Sequence, residues 1–144
     1  MKIWIGHGSE HSANLVMIGR FSSAGEAEAV KRVLDQLVDA VNDEIEDGTI
    51  EIGEPADRYS DAMRALLQAV SIYDVGPAEL EQFGYDVSVS VDGRDLVLRT
   101  DETNVLAYLK VLLDKGARVE VFSAHRHPYP AGDGSGGPAT TQDS

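Results

Sequence analysis

The order of strand-like and helix-like hydrophobic patterns is the feature that most restricts how this chain folds. Short apolar or alternating runs typical of β-strands occupy residues 14–21, 87–91, 96–98 and 117–125. Apolar residues recur at helical spacing in residues 24–46 and again around Leu109. From the first of these strands onward the order is strand, helix, strand, strand, helix, strand. This order predicts an α+β domain with the ferredoxin-like, or split βαβ, topology.

The first helix and the segment after it are predicted from their end signals. Ser23 and Glu26 form a capping-box pattern, so the helix is expected over residues 24–46. Apolar residues at helical spacing in residues 59–70 predict a second helix, and a proline opens a short third helix at 77–83. Both precede the next strand, so the domain is predicted to carry a helical insertion.

The second half of the chain is predicted to form a hairpin, a helix and a last strand. An Asp-Gly turn joins residues 87–91 to residues 96–98. The helix carries four leucines and is expected to begin at a Thr103 or Asn104 cap and to end at Gly116.

An additional strand at the front of the chain determines where the histidines gather. In a ferredoxin-like sheet the strand at 14–21 has both edges occupied, so the strand at 1–7 has no place beside it. Its predicted position is the open edge of the last strand, at 117–125. The two strands would then run parallel, which places their ends at the same rim of the sheet.

All four histidines follow these two strand ends. His7 and His11 come after the first strand, and His125 and His127 come at the end of the last. Because neutral imidazole is the commonest metal-binding side chain, these residues are predicted to bind a divalent metal such as zinc or manganese. Alternatively, His11 or His125 acts as a general base in catalysis, with Glu10 as the neighbouring carboxylate. The simpler alternative is that polar strand ends carry histidines without forming a site.

The loop between the first two strands offers a second kind of site. Gly6 and Gly8 allow the backbone to approach a ligand closely, and Ser9, Ser12 and Asn14 offer hydrogen bonds. Such a loop would bind a small anion, a nucleotide or a peptide. Equally, its serine and asparagine side chains would satisfy the backbone of the loop itself.

Residues 1–21, MKIWIGHGSEHSANLVMIGRF, resemble the start of a family of short prokaryotic proteins of unknown function. The resemblance implies neither an activity nor a cofactor. It implies only that the loop from Ser9 to Asn14 is a signature of that family.

Acidic residues are concentrated in one part of the chain. The 144 residues include 25 Asp and Glu against 12 Lys and Arg, a net charge of -13, and residues 26–57 hold 11 of these acids with two bases. The predicted binding residues are Asp39, Asp43, Glu46 and Asp47, near the end of the first helix. They favour a basic protein partner and make nucleic acid an unfavourable ligand for this helix.

Residues 43–54 also match part of a calcium-binding loop. An isoleucine replaces the third ligand of the pattern, and a proline follows the last glutamate. The preferred interpretation is an acidic, solvated connector.

Composition limits the remaining possibilities. A single domain is predicted over residues 1–127, followed by a flexible Gly-, Pro- and Ser-rich tail at 128–144. The sequence has no cysteine, which excludes disulfides and thiolate chemistry. No run of about 20 apolar residues is present, so we expect a cytoplasmic protein that does not enter a membrane. An exposed sheet edge would also allow a homo-oligomer.

Two functions follow from these patterns. The first is a small acidic interaction protein, such as an immunity-type or antitoxin-type protein or an accessory subunit, that binds a basic partner. The second is a metal-assisted or histidine-based hydrolase or nuclease with its site at the rim formed by residues 7–14 and 123–127.

Overall fold

The computed structural model describes residues 15–102 and 104–123, together with the backbone of Lys2–Trp4. The strands are β1 Lys2–Trp4, β2 Leu15–Arg20, β3 Val87–Asp92, β4 Asp95–Thr100 and β5 Arg118–Ser123. The helices are α1 Ala24–Glu46, α2 Asp61–Ala69, the 3₁₀ helix Pro77–Gly84 and α3 Leu106–Asp114. Among these described residues, no helix is both long enough and apolar enough to cross a membrane.

The five strands form one sheet in the order β1-β5-β2-β4-β3. β2 pairs antiparallel with both β4 and β5, and β3 pairs antiparallel with β4. β1 pairs in parallel with β5. This pairing confirms the predicted position of the front strand, beside the last strand. β2 has no room for it, since β4 and β5 already occupy both of its edges.

The architecture is α+β. Strands β2 to β5 form a four-stranded antiparallel sheet, and α2 and the 3₁₀ helix stand between α1 and β3, where the sequence predicts a helical insertion. A four-stranded ferredoxin-like sheet has no equivalent of β1, so the observed strand order differs from that topology at this edge. The ferredoxin-like class itself stays a prediction.

α1 begins and ends at the predicted residues. The hydroxyl of Ser23 accepts a hydrogen bond from the backbone N–H of Glu26 at 3.1 Å. The Glu26 carboxylate accepts one from the Ser22 hydroxyl at 2.7 Å. After the last helical residue, Gly48 has a positive φ of 87°. Glycine adopts this left-handed conformation at little steric cost, so the helix can end in a sharp turn.

The main core lies between the helices and one face of the sheet. Leu34 of α1 is fully buried, and the buried rings of Phe83 and Tyr108 meet edge to face with their centroids 5.0 Å apart. Gly19 of β2 lies beneath α3, since a Cβ atom added there would come within 3.2 Å of the Leu112 side chain. The small residue therefore lets α3 pack closely on the sheet.

β2 is apolar on both faces, as predicted. Val16 and Ile18 lie on the face opposite the main core and form a second buried cluster with Val97 of β4. Beside this cluster the guanidinium of Arg20 donates to both carboxylate oxygens of Asp95, at 2.8 and 3.0 Å. The pair compensates the charge of an aspartate that is only 3% exposed.

The predicted start of α3 at an Asn104 cap is wrong, whereas the predicted end of the helix at Gly116 is confirmed by its positive φ of 92°. Thr103 lies outside the described residues, and the residue that precedes the helix, Val105, makes no side-chain cap. The buried carboxamide of Gln82 takes this role from the 3₁₀ helix. Its oxygen accepts a hydrogen bond from the N–H of Ala107 at 2.7 Å, and its nitrogen donates to the Asn104 side chain at 3.0 Å. A capping group this distant in sequence leaves no local signal.

The hairpin of β3 and β4 turns one residue later than predicted. Asp92 pairs with Asp95, so the two-residue turn consists of Gly93 and Arg94. A glycine at the first central position is typical of a type II′ turn.

Candidate functional site

Four predicted binding residues lie on the outward side of α1 and at its end. Asp39, Asp43, Glu46 and Asp47 are all exposed. The first three follow one another at spacings of four and three residues, which places them on adjacent turns of one helix side. Asp47 is the C-terminal cap of the helix. We call these four residues the acidic face.

The acidic face points outward because the buried residues of α1 occupy the opposite side. Val30, Leu34, Leu37 and Val41 recur at spacings of three and four residues and are buried in the core. A helix turns by about 100° per residue, so Asp39 and Asp43 fall on the side away from this apolar stripe. The amphipathic pattern that anchors α1 therefore also presents its carboxylates to solvent.

Repulsion within the acidic face has no local compensation. Among the residues that the structure describes, none of its four carboxylates forms an ion pair. The last turn of α1 contains no basic residue, and carboxylates there oppose the helix dipole. One turn earlier, Lys31 and Asp35 do form an ion pair, at 2.9 Å. Negative charge is therefore concentrated in the C-terminal half of the helix.

Asp47 has a more defined environment than its neighbours. A side-chain hydrogen bond with Thr49, reinforced by the bond from the Thr49 N–H at 2.9 Å, lowers the pKa of the Asp47 carboxyl. The carboxylate is therefore ionised at neutral pH and held at the end of the helix.

Glu44 belongs to the same run of acids but has a structural role. Its carboxylate accepts a hydrogen bond from the hydroxyl of Ser60. That hydroxyl also accepts a hydrogen bond from the backbone N–H of Met63 at 3.0 Å and so caps α2. Glu44 thus joins the end of α1 to the start of α2, a contact that the charge pattern alone does not predict.

The connector after α1 is the segment in which the sequence also matches part of a calcium-binding loop. Within the described ranges, no group of three or more His, Asp or Glu side chains is arranged to hold a metal ion. Glu51 and Glu54 instead pair through their backbones, and the N–H of Gly53 donates to the Glu81 carboxylate at 3.1 Å. The acidic connector is the interpretation that these contacts support.

The histidines of the predicted rim lie outside the described residues. The same is true of the other predicted residues of this region, Ser9, Glu10, Ser12 and Asn14. The described strands nevertheless fix where these segments attach to the sheet. Trp4 of β1 pairs with Phe122 of β5, and Leu15 of β2 pairs with Ser123. The end of β1, the start of β2 and the end of β5 therefore lie side by side at one rim of the sheet, as predicted. Segments 5–14 and 124–127 continue the chain from these strand ends.

Sequence reasoning missed an apolar surface on α3. Leu106 and Leu113 are 43% and 45% exposed, and Leu109 between them is half-buried. These three residues, which we call the leucine face, lie on one side of the helix at spacings of three and four residues. The available signal was that seven of the nine residues of α3 are apolar, so the helix has too many apolar residues for its buried side alone.

A family model described as a family of unknown function matches residues 1–134. Neither a curated protein nor a solved structure matches the chain. This match is consistent with the resemblance of residues 1–21 to a family of unknown function, and it indicates no activity.

Proposed function

The chain belongs to DUF6375, a family of unknown function, and from its own residues we propose that it is a small acidic interaction protein that binds a basic partner. An immunity-type or antitoxin-type protein, or an accessory subunit, would use such a surface. The binding residues are those of the acidic face, Asp39, Asp43, Glu46 and Asp47.

One observation carries this proposal: the carboxylates of the acidic face are exposed on a helix anchored by its buried stripe, and they form no ion pairs among the described residues. Like charges one helical turn apart cost about 0.2–0.5 kcal/mol per pair. A basic partner would remove that repulsion on binding. It would also be steered to the surface by the net charge of -13, which raises the association rate at low salt.

The test is a charge reversal on the acidic face. A variant with Asp39→Lys, Asp43→Lys and Glu46→Lys should lose the basic proteins that the natural chain retains from an extract of its own cells. The measurement is quantitative mass spectrometry of the retained proteins at about 0.05 M and about 0.3 M salt, because screening weakens a charge-driven contact.

A matched control carries the same change of charge elsewhere. Asp57, Asp101 and Asp114 are exposed and lie off α1, so reversing all three to lysine should leave the retained proteins unchanged. If the two variants retain the same proteins as the natural chain, the acidic face is not the binding surface. Equal losses in both variants would mean that net charge alone drives retention, which also contradicts the proposal.

A second candidate function has its own supporting observation. The parallel pairing of β1 with β5 attaches the histidine-bearing segments to one edge of the sheet. We therefore retain as an alternative a metal-assisted or histidine-based hydrolase or nuclease at the rim formed by residues 7–14 and 123–127. His7, His11, His125 and His127 would hold zinc or manganese. In the metal-free version His11 or His125 is the base, with Glu10 beside it.

The rim is tested by metal analysis and by two substitutions. Elemental analysis of the purified protein should show a divalent metal, and His11→Ala or His125→Ala should abolish cleavage in a broad phosphodiesterase screen. Binding by Ser9, Ser12 and Asn14 would instead appear as ligand-dependent stabilisation without turnover. A protein with neither metal nor activity retains only the interaction function.

We also propose a ferredoxin-like class for strands β2 to β5 and a cytoplasmic location. The order β5-β2-β4-β3 with antiparallel neighbours supports the first assignment. An experimental structure would decide the class, and fractionation of the native cells would decide the location.

A further inference from the structure

β3 is an edge strand whose open side can be identified from its hydrogen-bonding direction. In the described part of the chain its one neighbour is β4. The N–H of Phe21 bonds to the carbonyl of Arg94 at 2.9 Å, so the backbone of residue 94 faces β2. Backbone groups of successive residues point to alternate sides of a strand. Residues 95, 97 and 99 therefore face β3.

The register then shows which groups of β3 are directed outward. Residues 95, 97 and 99 pair with Asp92, Ser90 and Ser88. The alternate residues of β3, Val87, Val89 and Val91, thus direct their N–H and C=O groups to the open side. Their side chains are half-buried on the helix-facing side of the sheet, whereas both serines are exposed on the other face.

The sequence of this edge is the same in both directions. Residues 86–92 are Asp-Val-Ser-Val-Ser-Val-Asp, a palindrome centred on Val89. If two such strands pair antiparallel about Val89, valine faces valine and serine faces serine. In this register Val89 lies opposite Val89 of the second chain, and Val87 lies opposite Val91. Every outward-directed N–H and C=O group of one strand therefore has a hydrogen-bonding partner on the other. The side-chain pattern and the backbone hydrogen bonds therefore favour the same register.

We propose that β3 binds β3 of a second copy of this chain, which joins two sheets into one around a twofold axis at Val89. The three valines of each strand exchange six backbone hydrogen bonds with the other copy. Pairing also covers their half-buried side chains, and cross-strand pairs of β-branched residues stabilise antiparallel sheets. The second copy is the occupant because the edge matches itself in hydrogen bonding, in side-chain type and in length.

Charge makes this association dependent on salt. In the proposed register Asp86 lies opposite Asp92 of the second copy, and both residues are exposed. The twofold axis also places both copies of the acidic helix α1 on the same side of the joined sheet. Like charges opposite one another oppose pairing, and added salt screens them. The dimer should therefore strengthen as ionic strength rises.

Sedimentation velocity of the full chain tests the interface. The natural protein should dimerise with a dissociation constant at least about tenfold lower at about 0.5 M than at about 0.02 M salt. A Ser88→Lys, Ser90→Lys variant places lysine opposite lysine and should remain monomeric. A Ser88→Lys, Ser90→Glu variant places lysine opposite glutamate and should dimerise again. An Ala65→Lys, Gln68→Lys variant on α2 is the matched control and should behave as the natural chain does.

Cysteine substitution tests the register itself. The chain has no cysteine, so a Val89→Cys variant should form a disulfide-linked dimer on mild oxidation, whereas a Val91→Cys variant should not. Residues 91 of the two copies would lie about 13 Å apart along the strands, beyond the reach of a disulfide. A natural chain that is monomeric at about 1 mM in both salts would overturn the proposal. So would a dimer that survives the paired lysines in a variant with a native circular-dichroism spectrum.

Discussion

α1 and α3 pack on the same face of the sheet but present opposite surfaces outward. α1 exposes the carboxylates of the acidic face, whereas α3 exposes the leucine face. Their attachments differ as well. α1 has 23 residues and caps itself through Ser23, whereas α3 has nine residues and depends on Gln82. Both helices bury an apolar stripe, but a short helix has few hydrogen bonds of its own, so we expect the contact from its neighbour to matter more for α3.

The largest expected change in the free energy of unfolding comes from comparing the buried side of α3 with its exposed side. Leu112 is fully buried and its neighbour Leu113 is 45% exposed. Leu112→Ala should lower the free energy of unfolding by about 2–5 kcal/mol, because it removes a core side chain and leaves a cavity. Leu113→Ala should change it by less than about 0.5–1 kcal/mol. Urea denaturation measures both, and similar losses would mean that the leucine face is buried in solution.

The next largest change in the free energy of unfolding is expected from removing the remote cap of α3, and it is compared with removal of the local cap of α1. Gln82→Leu keeps the side-chain size but leaves the N–H of Ala107 without its acceptor, so it should cost about 1–3 kcal/mol. Ser23→Ala removes an exposed cap and should cost about 1 kcal/mol. Denaturant titrations of the two variants provide the measurement. A cost for Gln82→Leu below that for Ser23→Ala would show that α3 does not depend on the remote cap.

The contrast between these caps shows what the sequence can and cannot predict. α1 was predictable to the residue because Ser23, Glu26 and Gly48 lie within the helix or beside it. The central position of β2 was predictable because this strand is apolar on both faces. The cap of α3 was not predictable, since Gln82 reaches the helix only after the chain has folded.

The candidate site shows the same limit. The spacing of the acidic residues correctly predicts that Asp39 and Asp43 lie on the outward side of α1. This prediction succeeds because the side of a helix that a residue occupies depends only on its position along that helix. The same charge pattern does not distinguish Glu44, which binds Ser60 of another element. The leucine face was missed because apolar residues predict burial, and only the packing of neighbours shows which leucines remain uncovered.

A smaller effect concerns the ion pair that fastens α3 to the 3₁₀ helix. Burial opposes ionisation of Glu79, but hydrogen bonds from Lys110 and from the Gly76 N–H outweigh it and lower the pKa of the Glu79 carboxyl. A carboxyl with a lowered folded pKa stabilises the protein above its unfolded pKa of about 4.3, and this stability is lost as the pH falls through the folded value.

Glu79→Gln should therefore cost about 1 kcal/mol at pH 7 and progressively less below about pH 4.3. Thermal unfolding between about pH 3 and pH 7 measures this. Glu28→Gln on the exposed side of α1 is the control for the loss of one carboxylate, and at pH 7 it should change the free energy of unfolding by less than about 0.5 kcal/mol. A cost for Glu79→Gln that is independent of pH would mean that the contact with Lys110 contributes nothing through its charge.

The smallest effect tests whether the acidic face is maintained at a cost to stability. Neutralising Asp39 and Asp43 to asparagine should raise the free energy of unfolding by about 0.3–1 kcal/mol, since like charges and an unfavourable dipole contact are removed. Asp114→Asn at the end of α3 should gain less, because Lys110 lies one turn away on the same helix. Denaturant titrations at low salt provide the comparison, and the gain on α1 should shrink as salt is added. A loss of stability on α1 would mean that these carboxylates support the fold, and their exposure would then no longer argue for a basic partner.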